Sequence, residues 1–74
     1  MVTRDWVRRK FEDVLNDVPF FYNGENGCII PHNTKRYVVA YGKNSVEVNS
    51  PDEVMNVKII DGKSIDEVFD DIEF

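Results

Sequence analysis

The last fourteen residues of the chain, Asp61-Gly62-Lys63-Ser64-Ile65-Asp66-Glu67-Val68-Phe69-Asp70-Asp71-Ile72-Glu73-Phe74, place a turn, a helix cap and an amphipathic run in immediate succession. Ser64 is positioned to accept from the first-turn amides while Glu67, three residues on, reaches back to the amide of Ser64. Ile65, Val68, Phe69 and Ile72 then recur at i, i+3, i+4 and i+7, one apolar stripe of a helix, with Asp66, Glu67, Asp70, Asp71 and Glu73 elsewhere. A helix this short is marginal alone. The segment therefore predicts a terminal helix that docks its stripe on another layer.

The rest of the chain supplies that layer. From Thr3 as N-cap, residues 3–17 carry Val7, Phe11, Val14 and Val18 at helical spacing, with Trp6 and Leu15 widening the stripe. Asn16 or Asp17 ends this helix, because Pro19 removes an amide and biases Val18 away from helical angles. Phe20-Phe21-Tyr22 and Cys28-Ile29-Ile30-Pro31 are β-prone runs around a loop with two Asn-Gly pairs, which tolerate positive φ, and read as a hairpin. Pro31-His32-Asn33-Thr34 forms the next turn, and residues 36–41 and 45–49 form a second pair joined through Gly42-Lys43-Asn44. Ser50 caps a short turn with Pro51 at its first position and Glu53 closing the box; Asn56 ends it, and residues 57–60 offer a fifth strand. The expected fold is α+β: an N-terminal helix, a four- or five-stranded, mostly antiparallel meander sheet and a short C-terminal helix, both helices packed on the sheet. Either helix has the option of the opposite face.

Seventy-four residues make one small domain, residues 1–74, burying roughly 60 % of its unfolded surface, with stability on the order of 5 kcal/mol. Nine aromatics and 42 % hydrophobic residues argue for a folded globule despite the net charge of −5, since each ring supplies a large buried area. A lone cysteine, Cys28, forms no internal disulfide, and no stretch approaches the roughly 18 apolar residues of a membrane span. The N-terminal residues lead into charge without an apolar signal region. A cytoplasmic protein with no membrane association is expected.

The candidates for chemistry are few. His32 is the single histidine and no positioned acid–base partner is indicated. Cys28 lies in an apolar strand, where a thiol packs as a small hydrophobe. One His, one Cys and scattered acids match no zinc spacing, the acidic tail lacks the ligand order of a calcium loop, and the glycines form no phosphate-binding loop. No catalytic residue, metal or cofactor is expected, and the chain reads as a non-enzyme.

An interaction role has one candidate surface. Alternation along the third strand puts Tyr37, Val39 and Tyr41 on one side and Val38 with Ala40 on the other, and Tyr22 can join the tyrosine side. If helices cover the Val38/Ala40 face, then Tyr22, Tyr37 and Tyr41 face outward beside Lys35 and Arg36, a surface for a protein, for a second copy of the chain, or for stacking on single-stranded nucleic acid. The alternative is ordinary cross-strand packing of tyrosines. Charge disfavours nucleic acid: residues 61–74 hold six acids against Lys63, while residues 1–10 hold Arg4, Arg8, Arg9 and Lys10 against Asp5.

The closing pattern Asp61-Gly62-Lys63-Ser64-Ile65-x-Glu67-Val68 resembles the ending of short uncharacterised proteins of Gram-positive bacteria and their prophages, in which such a turn introduces an amphipathic terminal helix. The resemblance covers about a fifth of the chain and implies a bacterial or phage accessory protein; it carries no catalytic residue to transfer. The sequence thus predicts a small non-enzymatic module that binds a protein or itself as a homodimer. The alternative is a nucleic-acid-associated regulator using Lys35, Arg36 and the tyrosines, or a DNA mimic presenting the acids between Asp66 and Glu73.

Overall fold

Three tight turns fold the middle of the chain into a meander. The computed structural model describes residues 2–12 and 16–74, with α1 at Arg4–Glu12, β1 at Val18–Tyr22, β2 at Glu25–Asn33, β3 at Arg36–Tyr41, β4 at Asn44–Val48, α2 at Pro51–Asn56 and a 3₁₀ turn at Phe69–Asp71. The sheet is antiparallel in the order β1-β2-β3-β4. Of the two Asn-Gly pairs only the first is a turn: Asn23 and Gly24 take φ of 49° and 83°, positive at both central positions of a two-residue hairpin. The second, Asn26-Gly27, lies inside β2, where Gly27 leaves room for the Phe20 ring from β1. Between β2 and β3 the Asn33 side chain accepts from the Lys35 amide at 2.8 Å, and Gly42 at φ 58° starts the turn into β4.

Both layers of caps form. Thr3 Oγ1 accepts from the Trp6 amide at 3.1 Å, and α1 buries Val7 and Phe11; the expected continuation through Val14 and Leu15 lies outside the described residues. Ser50 Oγ accepts from the Glu53 amide at 3.2 Å, with Pro51 opening α2, which buries Val54 and Met55.

The C-terminal segment departs from expectation in its geometry and agrees in its packing. The capping box is complete, since the Glu67 amide donates to Ser64 Oγ at 3.2 Å and the Ser64 amide to Glu67 Oε1 at 3.1 Å. After one α-type bond, Val68 N to Ser64 O at 3.3 Å, the coil tightens to three-residue steps, Asp71 N to Val68 O and Ile72 N to Phe69 O. The reason is tertiary: Glu73 is tied to Phe21 by a reciprocal pair of backbone bonds at 2.8 and 2.9 Å, so the chain must be extended by Ile72. Acids at the end of the segment would also oppose a helix dipole. Ile65, Val68, Phe69 and Ile72 are nevertheless all buried.

No fifth strand joins the sheet among the described residues. Val57 caps α2 by donating to Glu53 O, Ile59 turns back on Val57, and Ile60 bridges Lys63 across Asp61 and Gly62, both at positive φ. Residues 57–60 are thus spent on local turns. Among the described residues the fully buried apolar side chains form one core on one side of the sheet, giving two layers: four strands below, and α1, α2 and the C-terminal turns above.

Candidate interaction surface

The covered face of the sheet is the tyrosine face. Val18 and Phe20 of β1, Ile29 of β2, Tyr37, Val39 and Tyr41 of β3, and Val48 of β4 are all buried, with Tyr22 and Val46 half-buried beside them. Phe11 meets Tyr37 edge-on at 5.8 Å, and Phe20 stacks on Tyr41 at 6.4 Å. The hydroxyls reach the rim of this core, Tyr41 donating to Tyr22 O at 2.8 Å and Tyr37 to Thr34 O at 3.4 Å, so each ring is buried without stranding its polar tip. Burial, then the Asp61 and Glu25 carboxylates, push the Tyr41 phenol above its ordinary value.

This placement corrects the expected surface. Tyr37 and Tyr41 do not face solvent: they are 2 % and 4 % exposed, because aromatic rings gain most from the layer above. Tyr22 joins them, tilted against Tyr41 at 6.3 Å. Lys35 stays exposed in its turn, and Arg36 alone of the five predicted residues lies on the uncovered face, paired with Glu47 at 3.4 Å.

What faces outward instead is apolar. The register aligns Pro19, Cys28, Ala40 and Ser45 in one cross-strand row and Ile30, Val38 and Glu47 in the next, with Phe21 beside Asn26 beyond the first. Cys28, Ile30, Val38 and Ala40 are only half-buried, Pro19 is exposed and Phe21 is 40 % exposed. None belongs to the core cluster or packs against it. An antiparallel sheet with one wet face ordinarily shows polar residues there, and the two central strands show none at Cys28, Ile30, Val38 and Ala40. The signal was present in the sequence as unbroken apolar runs, Cys28-Ile29-Ile30-Pro31 and Tyr37-Val38-Val39-Ala40-Tyr41, the pattern of strands apolar on both sides, of which only one is covered here.

The remaining candidates do not assemble into a reactive centre. Cys28 is held as a thiol, its pKa raised by burial and by the Asp17 carboxylate against a smaller opposing effect of the Val18 backbone. His32 is exposed at the bulged end of β2. Among the described residues no group of three or more His, Cys, Asp or Glu is arranged to hold a metal, and no helix is long and apolar enough to cross a membrane.

The opposed charges of the two ends meet in one pair, Arg4 with Asp66, and Arg8 and Lys58 pair with acids elsewhere in the helical layer. Arg4 Nε pairs with Asp66 at 2.6 Å while its guanidinium covers the Phe69 ring at 4.7 Å; Arg8 joins Glu12 to Asp52, both at 3.1 Å; Lys58 pairs with Glu67 at 2.6 Å. On the edge of the molecule, Trp6 is 45 % exposed under Lys10 and lines a shallow groove of about 310 Å³ with Pro19 and Phe74. No family model matches the chain, and no curated protein or solved structure is significantly similar to it.

Proposed function

We propose that the protein is a small non-enzymatic protein–protein interaction module whose binding surface is the uncovered face of the sheet, centred on Ile30, Val38, Cys28 and Ala40. One observation carries this reading: the middle outward positions of both central strands, Cys28, Ile30, Val38 and Ala40, are apolar where solvent contact would select polar side chains. Phe21 and Pro19 extend the patch toward β1, and the Arg36–Glu47 pair with Ser45 and Asn26 supplies a polar rim, the anatomy of a protein interface. A cytoplasmic accessory role in a bacterium or prophage agrees with the resemblance of the Asp61-Gly62-Lys63-Ser64 ending and with the single cysteine. A DNA mimic is less well supported, because Asp66 and Glu67 are paired internally with Arg4 and Lys58.

The test is capture of partners by tagged wild type and by Val38→Glu in a bacterial cell, with a photo-crosslinking residue at position 21. Adducts formed by wild type and lost in Val38→Glu are the expected result. Equal adducts from both proteins would remove the sheet face from the interaction.

A further inference from the structure

We infer that the occupant of this face is a second copy of the chain, two sheets stacking about a two-fold axis that lies between them and runs close to perpendicular to the strands. The inference rests on the protein-binding reading of the face and adds its partner. Three observations carry it.

The first is relief. Cys28 and Ala40 form a row of small side chains on the central strands, and Ile30 and Val38 form a row of larger ones, two residues away along the same strands. Two residues of strand span about 6.7 Å. A two-fold axis midway between the rows sets Ile30 and Val38 of each copy into the trough over Cys28 and Ala40 of the other. The same operation brings Glu47 over Ser45, a hydroxyl that can donate to the carboxylate.

The second is charge. The chain carries −5, and Asp66 and Glu67 of its C-terminal segment are held by Arg4 and Lys58 in the layer above the sheet, on the side away from the open face. Among the described residues, Arg36 pairs with Glu47 on the open face, and Asp17, beside Cys28, and Glu73, bridged to Phe21, stand at its β1 edge. Stacking by this face keeps the acidic layers outermost, separated by both sheets and by more than the roughly 8 Å over which physiological salt screens them. A strongly basic partner would instead be drawn to the opposite layer.

The third is area. Four strands spaced about 4.8 Å, each contributing about five residues at 3.3 Å, give a footprint near 300 Å² and, with side-chain relief, about 500 Å² of accessible surface per copy. The pair then buries about 1,000 Å², the lower bound of a specific interface, which fits a dimer with a dissociation constant on the order of micromolar or weaker. Sheets packed face to face tolerate this geometry at their usual angle of about 30°.

Sedimentation equilibrium across a hundredfold range of concentration is the primary measurement. The expected mass rises from the 8.6 kDa of one chain toward twice that value. Val38→Glu, checked for folding by circular dichroism, should weaken the association by at least about tenfold, since it places a carboxylate in an apolar contact. A second measurement does not depend on weakening anything: the Cys28 thiol, covered by the other copy, should react with a thiol reagent more slowly as the concentration of wild type rises through the association range, whereas in Val38→Glu its rate should stay constant over that range. A chain that stays monomeric throughout and shows no concentration-dependent protection of Cys28 overturns the inference, as does a dimer indifferent to Val38→Glu. In either case the cellular cross-linking from position 21 decides the broader reading separately: heterologous adducts sensitive to Val38→Glu leave the face protein-binding with another occupant, and their absence removes both.

Discussion

The two faces of the sheet are built from neighbouring residues of the same type and end in opposite environments. Ile29 and Val39 are fully buried, whereas Ile30 and Val38, one step along the same strands, remain half-buried on the open side. Hydrophobicity therefore does not decide which face the helices cover. Aromatic content does: Tyr37, Tyr41 and Phe20 stand on the covered side, and rings of that size stabilise a layer contact more than Ala40, Cys28 and Val38 would. The lesser face keeps apolar surface of its own, but too little to recruit the chain's own short elements.

The sharpest way to break the comparison is to empty the covered side. Phe69→Ala removes a side chain only 6 % exposed, its ring centroid 5.3 Å from that of Phe74 and capped by Arg4, and should cost about 3–5 kcal/mol, comparable to the whole stability of a domain this size. Thermal and denaturant unfolding should find the variant largely unfolded. An unchanged midpoint would move the Ile65, Val68, Phe69, Ile72 stripe out of the core.

The adjacent pair Ile29 and Ile30 sharpens the contrast at constant chemistry. Ile29→Ala should cost about 2–5 kcal/mol at any protein concentration. Ile30→Ala should cost less than about 1 kcal/mol in dilute solution, where the open face is wet. Equal losses in urea titrations at low concentration would mean that both faces are covered within one chain.

Gly27 tests the fit of the covered side by addition. A Cβ there would enter the Phe20 ring and come to 2.7 Å from Ala40 O, which belongs to the backbone and cannot yield. Gly27→Ala should lose about 1–3 kcal/mol by overpacking, although alanine suits a strand better than glycine. A stabilised variant would show that the Phe20 ring and the β3 backbone at Ala40 both have room to shift.

Most of the architecture was legible because its signals are local. Thr3, Ser50 and Ser64 each cap where the sequence places them, and Asn23-Gly24 and Gly42 turn the strands where positive φ is cheap. What failed were outcomes set by distant contacts. The capping boxes at Ser50 and Ser64 look alike in sequence, yet one opens a six-residue helix and the other a 3₁₀ turn, because the bridge of Glu73 to Phe21 fixes where the second must end. The tyrosine surface failed for a related reason. Alternation sorts Tyr37 and Val38 to opposite sides without saying which side meets the helices, so the predicted site fell on the buried face, and only Lys35 and Arg36 kept their exposure. The unbroken apolar runs of β2 and β3 carry the second apolar face, which alternation alone does not assign to either side.

The smallest effect expected concerns how the covering layer is held rather than what it covers. Glu67 closes the cap at Ser64 and pairs with Lys58, and its carboxyl is held below its ordinary value first by the Lys58 hydrogen bond and then by the Ser64 amide. The unfolded chain, with an ordinary glutamate near pH 4.3, therefore binds more protons than the folded one as the pH falls through that range. The contribution is fully present above the unfolded value and is lost as the pH drops through the depressed folded one. Both partners are solvent-exposed, so the effect on stability is slight. Glu67→Gln retains an oxygen for the Ser64 amide and gives up the charge facing Lys58. Its denaturation midpoint should lie below that of wild type at neutral pH, and the gap should close between about pH 5 and pH 3. A gap that persists unchanged at pH 3 would show that the shape of the cap, not the ionised carboxylate, anchors the C-terminal turns to the sheet.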